Sequence, residues 1–529
     1  MLTSVSLSLR DLAGDDYLDA VVRTKHALTG QPLADLEALA SEQVEFFPQW
    51  FAERNAELTR ATGTRLVDPF EDLEEGAPTA SYRRAHSMRA APLGGLGACR
   101  VGQDGRIYLT AKSEHYQLSL GHDFPGYRLV DLARELGIPN ATHNNTRGHL
   151  TRLTERRLVA AANGLTDESE IDAVIESGER HALNRVINLE TGSLAAEAAL
   201  KMMLTRFYDA ETARQRQEDV VPVFLVLGDL GGGLAANYHG TTVMAQALRG
   251  LWPGFAEKAA ASGVFRVVPV PIDDIEGFRE VFEASNTGRF KVAGFCHEIV
   301  LMNYGGLLLN PEYLRHAYAL CHDNDVLVFC DEIQSGAWYE ELFLFRRYGI
   351  QPDLVAVGKG FPGGMYPASK ILATVGADSL SQFGALVTNG QEELASLSYL
   401  ITMEFARANG DHLRATGDAY HAGLDELTRR YPEVLAAVTG DQHMAGLQFH
   451  DAAVASEFCH TLEAIHCIDI STQAYKPSAP PTALTKLPLI SDETTIEVIL
   501  DRMDTVLAGL ARRTDTTAAT PAFSQETHR

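Results

Sequence analysis

Two short stretches of the chain offer groups able to do covalent and acid–base chemistry. VLVFCDEIQSG (326–336) is apolar until it meets Asp331, and PDLVAVGKGFPGG (352–364) is largely apolar until it meets Lys359. Each apolar run reads as a buried strand, and in parallel α/β sheets ligands collect beyond the carboxyl ends of strands. An acid and an amine are thereby presented at one rim. Either alone is also an ordinary strand-end acid or loop lysine. The pair says more, because Lys359 stands between Gly358 and Gly360, hemmed in only by backbone. In NLETGSLAAEAALK (188–201), Thr191, Gly192 and Ser193 open a helix whose free N–H groups either receive a phosphate or are simply capped. NYHGTT (237–242) places Tyr238, His239 and two hydroxyls in a turn, and LVTNGQEEL (386–394) places Thr388 just before another helix start.

These residues need a scaffold, and 529 residues suffice for about three to four structural units. Hydrophobic residues make up 45% and charged residues 22%, which excludes a chain disordered throughout and a collagen-like fibre. There is no run of about 18 apolar residues, so no membrane span is expected. The first twenty residues lack the basic and apolar regions of a secretory signal, which points to the cytoplasm. The net charge of −25 repels nucleic acid, and no nucleic-acid partner is expected. The six cysteines form no CxxC pair, so neither a metal site nor a disulfide framework is expected.

Residues 1–94 read as a helical extension, with helical spacing over 33–58 and a polar connection over 71–92. From about 95 to 390 the runs VPVFLVL, FRVVPV, VAGFCH, VLVFC and LVAV alternate with helical patterns at 194–209 and 311–324. That alternation implies a mostly parallel α/β sheet covered on both faces. Beyond 391 a long helix (391–408) leads to weak strands and a last helix over 492–512, with Ser491 as candidate N-cap. The expected domains are 1–94, the N-terminal part of a small domain and its connection (95–165), a large domain (166–390), a small domain (391–512) and a disordered tail (513–529).

The order Thr191-Gly192-Ser193, Tyr238-His239-Gly240, Glu298 within HEIVLMNYGG, Asp331-Glu332-Ile333-Gln334 and Gly358-Lys359-Gly360 resembles the class III aminotransferase subgroup of fold-type I pyridoxal-phosphate enzymes. LSLGHDFPG (118–126) is similar to that family's Leu-Gly-His-x-x-Pro segment, and the resemblance spans roughly 95–510. It implies an α/β fold with a large, mostly parallel sheet and a smaller α+β domain built from flanking segments, here with an extra N-terminal helical region. It implies that Lys359 forms the Schiff base with pyridoxal 5'-phosphate and acts as the base, and that Asp331 keeps the pyridine nitrogen protonated. Gln334 would bond the ring hydroxyl, Tyr238 stack on the ring, and Gly192 and Ser193 bind the phosphate. Glu298 matches a family acid, and His239 is either a cofactor residue or a structural one. Thr388 would reach the phosphate of a neighbouring subunit, which implies a homodimer.

Three departures bear on the substrate, an amino acid or amine. GAWYEELFLFRRYG (336–349) lacks the family's Gly-x-Gly-Arg-Thr-Gly, and Trp338 there either lines a pocket or belongs to the core. The arginine that grips an α-carboxylate before a Pro-Pro-Leu segment is missing from TALTKLPLIS, where Lys486 is the nearest cation. Arg147 is a candidate replacement or a surface residue. GDLGGGLAAN (228–237) lengthens the approach to Tyr238 and does not form the dinucleotide fingerprint G-x-G-x-x-G. Transamination is the family default. Elimination with replacement, carbon–carbon bond formation on an activated amino acid such as S-adenosylmethionine, decarboxylation and racemisation use the same electron sink and remain open.

Overall fold

The computed structural model describes residues 2–71, 74, 76–77, 79–80, 89–212, 214–217, 219–230, 240–472 and 478–518. Tyr238, His239 and most of the 228–237 insertion lie outside the described residues. The chain divides into two compact units, one of residues 1–52, 115–303 and 307–414, the other of 53–114, 304–306 and 415–529.

The first unit is organised by a seven-stranded sheet. In chain order its strands are β1 (Leu183–Leu189), β2 (Val221–Leu227), β3 (Arg266–Val270), β4 (Phe290–His297), β5 (Leu327–Asp331), β6 (Leu354–Val357) and β7 (Ser369–Thr374). They lie in the order β1-β7-β6-β5-β4-β2-β3. The neighbours from β3 through β6 pair in parallel, whereas β7 runs antiparallel to both β6 and β1. All residues of β2, β5, β6 and β7 are buried, as expected of a sheet covered on both faces. Four helices matter below: α1 (His149–Asn163), α2 (Gly192–Leu204), α3 (Pro311–Asp323) and α4 (Glu393–Ala408). Helix α3 begins as its sequence predicts, with Pro311 at the first turn and the Asn310 side chain accepting from the Glu312 N–H.

The helical spacing at 33–58 resolves into two helices, Leu33–Ala40 and Gln49–Arg60, separated by a strand at Val44–Glu45. Pro48 interrupts the pattern, and its carbonyl then accepts from Phe51 and Ala52 to start the second helix. Residues 1–52 pack into the first unit through Phe46 and Phe51, whose rings meet Phe124 edge-on at 6.0 and 6.4 Å. The stretch 1–94 is therefore shared between both units.

The second unit carries two four-stranded sheets. One joins Pro92–Leu96, Cys99–Gly102, Ile107–Thr110 and Ile468–Asp469; the other joins Leu435–Asp441, Met444–Phe449, Thr482–Leu484 and Ser471–Thr472. The last helix is Glu493–Ala518, so it continues six residues past the expected end, through 513–518 of the expected tail. Its cap is Asp492, not Ser491: the carboxylate accepts from the Thr495 N–H at 2.9 Å, the reach of an N-cap to the third helical residue.

Candidate active site

Three neighbouring parallel strands end at the same edge of the large sheet, and each delivers one ionisable side chain. Glu298 directly follows β4, Asp331 closes β5, and Lys359 stands two residues beyond β6. The register pairs Cys330 with His297 and Asp331 with Ala356, which aligns the three strand ends. Glu298 and Asp331 are 3% and 5% exposed. Lys359 is held with φ at 42°, a left-handed conformation unusual for a side chain of its size and of the kind stored at functional sites. Gly360 makes that turn possible: a Cβ there would overlap the Trp338 ring. Trp338, 1% exposed, is thus a wall beneath the lysine turn.

The charges in this cluster influence one another. Burial lowers the Lys359 amine to about 8, while Glu298 and Asp331 oppose that shift. Burial raises Glu298 well above the usual carboxylate range; Asp331 pushes it further, and Lys359 and Arg249 counteract. Its Oε2 is buried with no hydrogen-bond partner among the described residues. Asp331 accepts from the Ile333 N–H at 2.9 Å. The adjacent acid, Glu332, serves structure instead. It accepts from the Phe345 N–H at 2.7 Å and from the Ser335 hydroxyl, and burial raises it to about 7. Lys359 Nζ lies 5.5 Å from the centroid of the Tyr116 ring. Tyr116 itself has φ at 64°.

A second element meets this edge. The Thr191 hydroxyl caps α2, and a Cβ on Gly192 would press on Ile333, so the helix start lies against the turn that follows Asp331. The Ser193 hydroxyl is 2.7 Å from that of Thr241 and accepts from the Thr241 N–H at 3.3 Å. Two hydroxyls and the free amides of a 13-residue helix converge there, an arrangement suited to a phosphate. Gln334 is buried in the turn after β5. Thr388 is exposed in a turn whose next residue, Asn389, donates its N–H to Glu190 at 3.2 Å, close to the same helix start.

Two other expected site residues have contacts of their own. Arg147 directs its guanidinium at Glu155 through two hydrogen bonds. Lys486 belongs to the second unit, fully buried, with its N–H donated to Ala111 and its carbonyl accepting from the Ser113 hydroxyl. Tyr116 and Arg249 carry no sequence signal of their own. Tyr116 stands two residues before LSLGHDFPG, and Arg249 ends a short helix far along the chain from Glu298.

The sequence profile of the Aminotransferase class-III family matches residues 83–470. The acetylornithine aminotransferase of Methanocaldococcus jannaschii is 23% identical over 404 residues, covering 74% of this chain and 92% of its own. The ornithine aminotransferase of Bacillus subtilis is 24% identical over 407 residues, covering 74% and 88%. Among solved structures, a transaminase from a marine Virgibacillus superposes with a TM-score of 0.65 at 13% identity, covering 88% of this chain and 100% of the other. The ornithine aminotransferase of Toxoplasma gondii superposes with 0.62 at 19% identity, covering 81% and 93%. Among the described residues no helix is long and apolar enough to cross a membrane.

Proposed function

The chain belongs to the class-III aminotransferase family, whose members depend on pyridoxal phosphate, and from that premise we propose residue roles and a substrate class. The observation that carries the roles is the convergence of Glu298, Asp331 and Lys359 at the ends of three adjacent strands. The residues fit the cofactor. A half-buried amine without a hydrogen bond among the described residues, a buried carboxylate and a phosphate cradle stand around one sheet edge. Pyridoxal phosphate supplies an aldehyde that takes up an amino group and a ring that accepts the electron pair left at the substrate carbon.

Lys359 Nζ would be the attachment point, and its amine would take up and return the substrate proton. With its pKa at about 8, part of the amine is unprotonated near neutrality. Asp331 would hold the proton on the ring nitrogen, and Gln334 would bond the ring hydroxyl. Glu298, whose proton affinity burial raises, belongs to the same charge cluster as Asp331 and Lys359. The Gly192 amide and the Ser193 and Thr241 hydroxyls hold the phosphate. Tyr116 closes the space over the amine and excludes water from it. Tyr238 and His239 keep the roles that the family pattern implies. Thr388, exposed beside the cradle, reaches a second copy of the chain, and the working unit is a homodimer. The six free, buried cysteines accord with a reducing, cytoplasmic setting.

The substrate class is an amino donor whose reacting amine is distant from its α-carboxylate. Two facts support this reading. The relatives are named for ornithine and acetylornithine, and Arg147, the candidate carboxylate fork, is engaged by Glu155. The test mixes purified protein with ornithine, N-acetylornithine, γ-aminobutyrate and alanine, and follows loss of the yellow cofactor form. Conversion by the first three and not by alanine is the expected result. Conversion by alanine alone overturns the substrate class.

A further inference from the structure

The edge of the large sheet opposite Lys359 holds a second group of chemically competent side chains. His181 lies two residues before β1, His322 lies in the last turn of α3, and Asp353 immediately precedes β6. Asp353 and Lys359 thus flank opposite ends of the same strand. We propose that His181, His322 and Asp353 bind a divalent first-row transition ion, with Zn2+ as the fitting occupant.

Geometry supports the proposal first. One ligand atom from each residue lies within 4.8 Å of the others. His181 Nδ1 is 3.3 Å from Asp353 Oδ1, and His322 Nε2 is 3.5 Å from Asp353 Oδ2. Zinc–ligand bonds of about 2.0–2.1 Å put the corners of a tetrahedron roughly 3.3 Å apart, and each imidazole already stands near that distance from one oxygen of the Asp353 carboxylate. The two rings stack with centroids 4.0 Å apart and 28° between planes. Closing the third edge turns them out of that stack, and rings that are 24% and 19% exposed have room to turn.

Donor chemistry and support come second. Two imidazoles and one carboxylate form a borderline nitrogen–oxygen set that favours zinc over magnesium or calcium, which prefer all-oxygen shells. The carboxylate is held in place, since Asp353 Oδ2 accepts from the Val328 N–H at 2.8 Å and its backbone bonds Val328 and Thr374. His322 Nε2 is buried and makes no hydrogen bond among the described residues. The neighbouring cations Arg180 and Arg206 both turn to Asp325. An open cavity of about 270 Å³, lined by His181, Asn163, Leu183 and Pro352 among others, reaches the cluster from the His181 side and offers an entry path. The ion would clamp the end of α3 to the starts of β1 and β6, a stabilising role away from the reaction.

The test uses the full chain with its cofactor bound and any affinity tag removed, dialysed against a chelator and then titrated with Zn2+ by calorimetry and with Co2+ by visible absorbance. One ion per chain, a four-coordinate Co2+ spectrum, a Zn2+-dependent rise in Tm, and roughly 100-fold weaker binding in both His181→Asn and His322→Asn are expected. Far-ultraviolet circular dichroism checks that the variants fold. Unchanged Zn2+ affinity in both folded variants, or no Zn2+-dependent rise in Tm of the unaltered protein, overturns the proposal.

Discussion

The first unit holds two lysines whose electrostatics look alike and whose situations differ. Burial lowers both Lys359 and Lys370 to about 8, each against two opposing carboxylates: Glu298 and Asp331 for the first, Glu155 and Glu393 for the second. Each amine also lies over a tyrosine ring, Tyr116 at 5.5 Å and Tyr399 at 5.1 Å. Lys370, however, lies inside β7, opposite Asn188 of β1 in the register, and donates a hydrogen bond to the Asn188 side chain. Its carboxylates have their own partners. Glu155 accepts from Arg147 and Asn188, and Glu393 accepts from the N–H groups of Leu150 and Thr151 and from the Thr151 hydroxyl. Lys359 stands beyond a strand end, in a strained turn, with no hydrogen bond to hold it among the described residues. A depressed pKa is common to a structural lysine and a reactive one; an amine left unengaged at a strand end distinguishes the second.

The largest expected effect separates the two amines. Lys359→Ala should remove the borohydride-reducible cofactor linkage and lower turnover on the order of 10⁴-fold, whereas Lys370→Met should retain the linkage. A reducible linkage that survives in the first variant and vanishes in the second would reverse the assignment. Next, Lys370→Met leaves the buried Asn188 side chain without its donor and removes a cation close to Glu155 and Glu393, and should destabilise by about 3 kcal/mol, read as a lower midpoint in denaturant. A neutral result would mean that the strand-embedded amine is not structural. Gly360→Ala forces a methyl group into the Trp338 ring, costing about 1–3 kcal/mol and weakening cofactor retention. Adding Trp338→Ala should recover part of that retention, which shows the wall to be what shapes the lysine turn.

The smallest effect is in pH. The neutral Lys359 amine is the attacking form, so cofactor attachment to cofactor-free protein should rise as pH increases through about 8 and then level off. Charge on Glu298 opposes the lowering of that value, so Glu298→Gln should move the midpoint downward. An upward shift would mean that Glu298 does not face the amine.

Local pattern made much of this legible. Continuous apolar runs announced β2, β4, β5 and β6, because a strand covered on both faces has no polar side to show. Pro311 and Asn310 announced the start of α3 for reasons internal to a helix turn. Patterns failed where a residue's meaning depends on a distant neighbour. Trp338 is a wall because Gly360 lies against it, and Arg147 is occupied because Glu155 faces it. The helical spacing at 33–58 concealed a break, because the strand Val44–Glu45, which separates the two helices, pairs with residues far back in the chain, Ser6 and Leu7.

The chain's own order of residues determined the family pattern, the flanking glycines of Lys359 and the alternation that builds a mostly parallel sheet, since each rests on short-range rules of backbone and burial. Folding alone decided which side chains share an environment. Glu298, Asp331 and Lys359 are separated by 33 and 28 positions, and His181, His322 and Asp353 by 141 and 31, yet each trio gathers at one edge of the same sheet. Hydrogen-bond register brings strand ends side by side whatever the length of chain between them. Proximity of charges, which sets their proton affinities, is therefore a property of the sheet and not of the spacing.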